Sequence, residues 1–243
     1  MNIIKLNAID STNTYLINLG SNEELEDRTI VVAIEQKKGR GQIDASWQST
    51  PHQSLTFSVF KKFKDLPVQK LSSIAFAVSL GVNKALNNML LPKITIKWPN
   101  DIMSYSKKIA GILIENQMKK GKIISSVIGV GINVNQEKFE SLPEATSMLL
   151  VTGKKISIDE VLMKVSEAIL KELTRIEKGE YDLLKKEYED HLFRKDIISV
   201  FEDLNGNRFN GKVRGVTGAG EILIEKDEKS LANYQLKEIK MLL

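Results

Sequence analysis

The sequence contains no cysteine among its 243 residues, and histidine occurs only at His52 and His191. Without cysteine the chain has no disulfide framework, no cysteine-ligated zinc site and no thiol nucleophile. Two histidines far apart in the sequence also argue against a histidine-rich metal site and against most serine–histidine hydrolase machinery. The chemistry must therefore depend on lysine, arginine, carboxylates, amides and the backbone.

The chain also lacks the usual features of secreted and membrane proteins. Residues 1–5, Met-Asn-Ile-Ile-Lys, have neither the basic region nor the apolar run of a secretory signal. The longest apolar stretches are far shorter than the ~20 residues that cross a bilayer. The sequence therefore predicts a soluble, cytoplasmic protein without a membrane partner.

Positive charge exceeds negative charge only slightly, with 35 basic residues, 31 acidic residues and a net charge of +4. The arginines are Arg28, Arg40, Arg175, Arg194, Arg208 and Arg214. Phosphate recognition favours the bidentate guanidinium, whereas scattered lysines mostly keep a surface soluble. The charge balance is therefore only a weak indication of nucleic-acid binding.

Apolar periodicity and β-branched runs predict an α+β protein with a mixed, largely antiparallel sheet and flanking helices. Apolar residues recur at steps of three and four between Leu71 and Met89, which is typical of a helix. Ser157 and Glu160 form a capping-box pattern at the start of a second helix. Shorter helices are predicted at residues 12–20 and 181–191, and strands at residues 29–34, 55–60, 94–98, 109–118 and 123–134.

The segment from Ile197 onward consists of short strand candidates separated by turn residues such as Asn205 and Gly206. This pattern predicts a small antiparallel barrel of ~45 residues that packs on the main domain. The chain is accordingly divided into a main domain of residues 1–194 and a small β domain of residues 195–243.

The first candidate functional segment is a loop in which Gly39 and Gly41 flank Arg40, and which continues through Gln42 to Trp47. Glycine lets the backbone approach a ligand closely, so that N–H groups and the guanidinium converge on an anion. The short Gly-x-Gly pattern is a weak signal alone, because a hairpin loop with a solvated arginine has the same composition.

The second candidate segment is Lys-Trp-Pro-Asn-Asp at residues 97–101, where a predicted strand ends. It places an aromatic ring, an amide and a carboxylate at one sheet edge, which is unfavourable unless these groups have a function. Ordinary turn chemistry explains Pro-Asn-Asp alone, but it does not explain the preceding lysine and tryptophan.

The third candidate segment begins with Lys107 and Lys108 and continues into the apolar strand Ile-Ala-Gly-Ile-Leu at residues 109–113. A lysine close to an apolar interior loses hydration and needs an anionic partner, either a carboxylate or a ligand. Strand alternation favours Lys108, which would share a face with Ile112 while Gly111 faces the other side.

Two further segments carry polar groups or glycines. Residues 10–13, Asp-Ser-Thr-Asn, open the first short helix and alone are typical of helix caps. Gly129 and Gly131 interrupt an apolar strand that ends at Asn133, where they leave room for another backbone or a flat ligand. No Rossmann fingerprint and no P-loop occurs, which excludes those nucleotide-binding classes.

Taken in order, these segments resemble the catalytic core of the biotin protein ligase family, the biotin–[acetyl-CoA-carboxylase] ligases. The matching elements are residues 10–13, Gln36 with the loop 39–47, and residues 97–101, 108–113 and 129–133. The element at 97–101 is highly specific, and the others are strong as a series. The resemblance extends over about residues 1–240 and implies a class II synthetase-like core with a C-terminal SH3-like barrel.

The resemblance implies an enzyme with two coupled reactions. Biotin and ATP, with Mg²⁺, would form biotinyl-5′-AMP and pyrophosphate, and the biotinyl group would then pass to a lysine of a biotin carboxyl carrier protein. Fixed positive charge suits this chemistry, because it offsets the repulsion between a carboxylate and an α-phosphate. The family includes monomers and dimers, so the resemblance leaves a homodimer open.

The resemblance also implies roles for individual residues. Catalytic roles fall to Lys108, Arg40 and Asp101, with Asp101 acting on the incoming lysine or, as a ligand, on magnesium. Biotin contacts fall to Ser11, Thr12, Asn13, Gln36, Gly39, Arg40, Gly41, Gln42, Lys108 and Gly111. Nucleotide contacts fall to Trp47, Trp98, Asn100, Lys108, Gly129, Gly131 and Asn133. The loop that ends at Trp47 is expected to close over the adenylate, because water hydrolyses a mixed anhydride.

The sequence departs from the family pattern inside the loop. Family members commonly carry Gly-Arg-Gly-Arg-Arg-Gly before the tryptophan, whereas Gln42, Ile43 and Asp44 occupy the last three places here. Fewer positive charges predict a weaker hold on the adenylate. Because the Ser-Thr-Asn motif begins at residue 11, we expect no N-terminal DNA-binding domain and no specific DNA partner.

Two other functions are compatible with parts of the pattern. A lipoate or octanoate ligase or transferase shares the related core, but the missing cysteine argues against the thiol-using transferases. The Gly-Arg-Gly loop and the element at residues 97–101 argue against the lipoate ligases. A non-catalytic binding module is the other alternative, and the presence of Lys108, Arg40 and Asp101 argues against it.

Overall fold

A seven-stranded sheet carries most of the candidate residues. The computed structural model describes residues 2–22, 24–42, 45–140, 142–226 and 230–242. The strands of this sheet are β1 Asn2–Ile9, β2 Thr29–Gln36, β3 Ser54–Pro67, β4 Ile94–Lys97, β5 Asp101–Ser104, β6 Lys107–Lys119 and β7 Lys122–Asn133. They lie in the order β1-β2-β3-β7-β6-β5-β4, and β1 pairs with β2 in parallel while the other neighbours are antiparallel. The predicted mixed sheet, with the hairpin of β6 and β7 inside it, is confirmed.

The helices flank this sheet, as the periodicity predicts. They are α1 Thr12–Asn22, α2 Ser72–Asn88, α3 Met148–Thr152, α4 Ile158–Glu177 and α5 Tyr181–Asp190. Helices α2 and α4 approach closely at Gly81, where a Cβ would lie 2.6 Å from the Cα of Ile169. Ser157 caps α4 by accepting a hydrogen bond from the Glu160 N–H at 3.3 Å.

Alternation along β3 separates the apolar core from a polar face. Leu55, Phe57 and Val59 are buried in the same apolar cluster as α2 and α4. Each such side chain contributes about 1.5–3 kcal/mol through burial. Ser58, between them, points to the opposite face and contacts Thr12 at the start of α1. Helices α2 and α4 therefore cover one face of the sheet, and the polar groups lie on the other face, beside the start of α1.

The predicted small C-terminal β domain is present, but its five described strands form an antiparallel sheet and not a closed barrel. They are β8 Ile198–Asp203, β9 Arg208–Val216, β10 Ile222–Lys226, β11 Leu231–Tyr234 and β12 Ile239–Leu242. Within the described residues their order is β11-β10-β9-β8-β12, with β11 and β12 at opposite edges. Phe201, Val213 and Ile224 belong to the same buried cluster as the main core. Because the sheet buries its apolar face on its neighbour, it does not need to close on itself.

The sequence patterns do not predict β1, β5, β12 or α3. β1 is an edge strand with exposed or half-buried residues and therefore has little apolar alternation. β5 and β12 are only four residues long. The division of the chain between residues 194 and 195 stays a prediction. None of the helices in the described ranges has the length and apolar character needed to cross a membrane.

Candidate active site

The loop after β2 folds into a small flap, residues 39–42 and 45–47. Arg40 and Ser46 form an antiparallel bridge, and the Trp47 N–H donates to the Gly39 carbonyl at 2.9 Å. A Cβ on Gly39 would lie 2.3 Å from the Trp47 carbonyl oxygen, so this turn requires glycine. The sequence departures at Ile43 and Asp44 lie outside the described residues.

The indole of Trp47 lies directly on the backbone of β6 and β7. A Cβ on Gly131 would lie 2.2 Å from Trp47 Cε2, and a Cβ on Gly111 would lie 3.1 Å from Cζ3. Gly129 makes room for another group, because its Cβ would lie 2.4 Å from Asn13 Oδ1. The glycines of these strands therefore accommodate two of the protein's own side chains.

Lys108 forms an ion pair with Asp101 beside the flap. Lys108 Nζ lies 2.6 Å from Asp101 Oδ1 and 5.7 Å from the centroid of the Trp47 ring. Lys107 is exposed, whereas Lys108 is half-buried. The placement thus agrees with the preference for Lys108 as the lysine that needs an anionic partner.

The predicted orientation of Lys108 opposite Gly111 is wrong. A Cβ on Gly111 would lie 3.3 Å from Lys108 Nζ, so both groups are on the same face of the sheet. The register between β5 and β6 shifts here, with Ile102 opposite Ala110 and Met103 opposite Lys108. This irregularity inserts one extra residue into β6, and such a bulge reverses the direction of the side chains that precede it.

Two cavities meet at this ion pair. The small cavity has a volume of about 250 Å³, and the predicted residues that line it are Ser11, Thr12, Asn13, Gln36, Arg40, Gly41, Gln42, Trp47, Asn100, Asp101, Lys108, Gly111, Gly129 and Gly131. The large cavity has a volume of about 580 Å³ and is lined by residues that include Lys97, Met103, Asn133, Gln136 and Glu144. Ser46, Trp47, Asp101 and Lys108 line both cavities and are named the shared wall below.

Hydrogen bonds connect the buried polar groups on the floor of the small cavity. Gln36 Oε1 accepts from the Thr12 N–H at 2.8 Å. Ser58 Oγ lies 2.7 Å from Thr12 Oγ1 and 2.5 Å from Asn13 Oδ1. Ser11 makes a long, cap-like contact, with its Oγ 3.5 Å from the Thr14 N–H. The side chains of Thr12 and Asn13 therefore form part of the cavity floor and do not cap the helix.

One carboxylate in this network is not singled out by the sequence patterns. Glu115 Oε2 accepts from Asn13 Nδ2 and from Arg40 Nη2, each at 2.7 Å. Its signal in the sequence is that it is the single acidic residue of β6 and directly follows the apolar run at residues 109–114. Glu115 thereby joins the flap, the start of α1 and β6.

The large cavity contains a buried pair of amides and a desolvated lysine. Asn133 Nδ2 donates to the Thr146 carbonyl, and Asn133 Oδ1 accepts from Gln136 Nε2, each at 3.0 Å. Burial lowers the pKa of the Lys97 ammonium group, and the nearby Asp101 carboxylate opposes this effect. Asn133 therefore belongs to the large cavity, on the other side of the shared wall from the small one.

Asn100 and Trp98 differ in their placement. Asn100 Nδ2 donates to the Ile112 carbonyl at 2.8 Å, so Asn100 holds β6 beside the small cavity. Trp98 lines neither cavity, and its Nε1 donates at 2.8 Å to the Gly220 carbonyl, in the turn between β9 and β10. The structure thus brings the predicted site residues together at the two cavities, with Gly39 shaping the flap and Trp98 outside.

The described residues include no group of three or more histidine, aspartate or glutamate side chains placed to hold a metal ion. Asp101 is a single carboxylate on the shared wall, half-buried and paired with Lys108. A resident metal centre therefore has too few ligands, whereas a cation that arrives with a phosphate ligand needs only one protein carboxylate.

Comparison with known proteins gives consistent matches. Residues 6–133 match the model of the biotin/lipoate A/B protein ligase family. The chain is 30% identical over 230 residues to the bifunctional ligase/repressor BirA of Bacillus spizizenii, covering 93% of this chain and 70% of that protein. It is 33% identical over 142 residues to the biotin–[acetyl-CoA-carboxylase] ligase of Mycobacterium tuberculosis, covering 57% of this chain and 52% of that protein.

The fold matches a solved structure over nearly its whole length. The biotin protein ligase from Aquifex aeolicus in complex with biotin and ATP matches with a TM-score of 0.80 at 28% identity, covering 99% of this chain and 98% of that one. The family model covers more than half of the present chain. In both sequence and fold, this chain belongs to the biotin/lipoate A/B protein ligase family.

Proposed function

We propose that this chain is a biotin–[biotin carboxyl carrier protein] ligase, an ATP-dependent and AMP-forming enzyme. The observation that carries the proposal is the shared wall, because Lys108 and Asp101 line both cavities. A ligand carboxylate in one cavity and a ligand phosphate in the other would meet at the same ammonium group. The Aquifex aeolicus relative, solved with biotin and ATP, supports these two ligands.

The small cavity is the proposed biotin site. Its buried hydroxyl and amide groups suit a compact polar head such as a cyclic urea, and the glycines beside them suit a flat ring. The carboxylate of biotin would then extend along the flap towards Lys108. The proposed contacts are those that the family resemblance implies: Ser11, Thr12, Asn13, Gln36, Gly39, Arg40, Gly41, Gln42, Lys108 and Gly111.

The large cavity is the proposed ATP site. Trp47 offers an aromatic face and Asn133 an amide to the base, and Lys97 adds a cation near the phosphates. The small cavity is lined by Asn100, Gly129 and Gly131. Asn100 holds the backbone of β6 in place, and the two glycines make room for the Asn13 and Trp47 side chains. The nucleotide contact that the resemblance implies for Trp98 gains no support from its placement.

The proposed reaction has two steps that balance in atoms and charge. A carboxylate oxygen of biotin attacks the α-phosphorus of ATP, the bond between the α-phosphorus and the bridging oxygen breaks, and pyrophosphate leaves. The amine of the acceptor lysine then attacks the acyl carbon, the bond to AMP breaks, and the nitrogen loses a proton. Lys108 and Arg40 offset the repulsion between the anions, and the flap keeps water from the anhydride.

Asp101 has two proposed tasks on the shared wall. It can take a proton from the incoming lysine, and it can add one carboxylate ligand to the magnesium ion of the MgATP substrate. Mg²⁺ commonly keeps several waters and uses one or two carboxylates together with phosphate oxygens. A cytoplasmic location and the lack of a specific DNA partner stay predictions, and the oligomeric state stays open.

Pyrophosphate exchange tests this function directly. The purified protein is incubated with MgATP and labelled pyrophosphate, together with biotin, lipoate or octanoate in parallel. We expect exchange with biotin, followed by labelling of a biotin carboxyl carrier protein that avidin detects. Exchange with lipoate or octanoate but not with biotin would assign the chain to the other branch of the family.

A further inference from the structure

We propose that Glu115 is a positioning residue that sets the direction of the hydrogen bonds on the floor of the small cavity and restrains Arg40. The observation is that one oxygen, Glu115 Oε2, accepts from both Asn13 Nδ2 and Arg40 Nη2 at 2.7 Å. The identity of the ligand, biotin, rests on the proposed function. The contacts themselves are formed within the chain.

The carboxylate determines the orientation of the Asn13 amide. An ionised carboxylate only accepts hydrogen bonds, so the nitrogen of Asn13 must face Glu115 and the oxygen must face Ser58. The Leu113 carbonyl favours the same orientation, but it lies 3.3 Å from Asn13 Nδ2. The shorter, charge-assisted contact with Glu115 is the stronger of the two.

This orientation propagates to Ser58 and Thr12. Ser58 has one hydroxyl proton, and Asn13 Oδ1 can only accept, so Ser58 donates to Asn13 across 2.5 Å. The Ser58 proton is then not available to Thr12, 2.7 Å away, and the Thr12 hydroxyl keeps its own proton for Gln36 Oε1 at 3.0 Å. The Thr12 oxygen keeps a lone pair for a ligand, which complements the N–H groups of a cyclic urea. If the Asn13 amide turned over, Ser58 would accept from Asn13 and donate to Thr12, which would use a lone pair of Thr12 that a ligand needs.

The second contact ties the same carboxylate to the flap. The Arg40 and Glu115 side chains are 43% and 30% exposed, so their ion pair is at the margin of the site and not in the core. Arg40 lies within the flap that ends at Trp47 on the shared wall. Loss of the charge on Glu115 should therefore loosen the flap as well as the floor.

The first test compares Glu115→Gln with a matched control. Glu24→Gln removes a carboxylate from an exposed ion pair with Lys62, in which Glu24 is 90% exposed. We expect Glu115→Gln to weaken biotin binding about tenfold, as the loss of a charge-assisted hydrogen bond does. The loss of ATP affinity should be clearly smaller, because Glu115 reaches the large cavity only indirectly, through the flap and Trp47. Equal losses for biotin and ATP, or no loss for biotin, would overturn the proposal.

A rescue experiment distinguishes an effect on the direction of the hydrogen bonds from general damage to the structure. Asn13→Asp alone places two carboxylates 2.7 Å apart, so it should weaken biotin binding by more than about tenfold. In the double variant Asn13→Asp with Glu115→Gln, the amide introduced at position 115 donates to the carboxylate introduced at position 13, and this carboxylate accepts from Ser58. Ser58 therefore donates to residue 13, as it does in the wild type. We expect the double variant to recover most of the lost affinity. A double variant at least as weak as the worse single variant would overturn the proposal.

A ligand-free measurement separates this inference from the proposed function. Trypsin cleaves after arginine, and the bond between Arg40 and Gly41 lies in the flap. We expect Glu115→Gln, but not Glu24→Gln, to raise the cleavage rate at this bond by about fivefold or more. A wild-type chain that binds no biotin would refute the ligase function, whereas unchanged cleavage at Arg40 would refute the restraint by Glu115.

Discussion

Lys108 Nζ lies 2.6 Å from Asp101 Oδ1, so the cation between the two cavities already has an anionic partner. Arg40 is likewise paired with Glu115 at 2.7 Å. An anionic ligand must therefore share or replace a carboxylate at each of these cations. The net stabilisation of the ligand is the difference between the two pairings, and not the full attraction to a free cation.

The first prediction concerns Lys108. Lys108→Ala removes the ammonium group from the shared wall, and we expect biotin-dependent pyrophosphate exchange to fall by about 100-fold or more. Circular dichroism should show that the fold persists. Lys107→Ala, at the exposed neighbouring position, is the matched control and should retain exchange. Near-normal exchange in Lys108→Ala would remove this lysine from the proposed mechanism.

The second prediction separates the two tasks of Asp101. Asp101→Asn preserves the shape of the side chain but removes its charge. If its main task is to take a proton from the acceptor lysine, transfer to the carrier protein should fall by about tenfold or more, with a smaller effect on pyrophosphate exchange. We expect this outcome. A larger loss in exchange, relieved by excess magnesium, would assign Asp101 to the metal instead.

The third prediction concerns the surface under Trp47. A Cβ at position 131 would lie 2.2 Å from Trp47 Cε2, so Gly131→Ala must displace the indole. We expect a destabilisation of about 1–3 kcal/mol in urea unfolding and a raised KM for ATP. Gly218→Ala is the control, because a Cβ there meets no atom within 4 Å. A Gly131→Ala enzyme with normal kinetics would show that the indole position is irrelevant to ATP.

The fourth prediction tests Trp98, which the family resemblance assigns to the nucleotide. Trp98→Phe retains an aromatic ring but removes the hydrogen bond to the Gly220 carbonyl, which links the two sheets. We expect a loss of about 1 kcal/mol in the free energy of unfolding. The KM for ATP should be unchanged. A KM raised several-fold at unchanged stability would restore the nucleotide role.

The fifth prediction concerns acid stability. The Arg175 guanidinium, 2.8 Å from Glu187, lowers the pKa of that carboxyl from 4.5 to about 2. A depressed pKa in the folded state stabilises the fold above pH 4.5 and loses this effect as the pH falls towards 2. Since Glu187 is 40% exposed, solvent screening reduces the contribution to about 1 kcal/mol.

Urea unfolding at several pH values checks this contribution. We expect Glu187→Gln to be less stable than wild type at pH 7, with the difference shrinking as the pH falls below about 4. Glu167→Gln, at an exposed position of α4, is the control and should follow wild type. A difference between Glu187→Gln and wild type that is independent of pH would point to lost packing and not to charge.

Sequence patterns predict those parts of the fold that have strong local signals. The helix at Ser72–Asn88 follows from apolar periodicity, and the start of α4 follows from Ser157 as its cap. The open C-terminal sheet does not follow from its strands, because its edges depend on packing against the main core. An exposed edge strand such as Asn2–Ile9 has too little apolar alternation to be recognised.

The candidate site shows the same limit at the level of single residues. Lys108 and Gly131 are found because their residue types are unusual within apolar strands. The direction of Lys108 depends on a register shift between two strands, which alternation along one strand does not reveal. Glu115 acquires its importance from Asn13, which is 102 positions away in the sequence. Contacts of this kind are set by the folded chain and not by local composition.

The shared wall also has a thermodynamic consequence. Because Trp47 and Lys108 line both cavities, a ligand in one cavity alters a surface that the second ligand must bind. Any factor by which the first ligand changes the affinity for the second must appear, with the same size, when the order of addition is reversed. A ligand that moves this indole or this ammonium group from one cavity is therefore a heterotropic effector of the ligand in the other cavity.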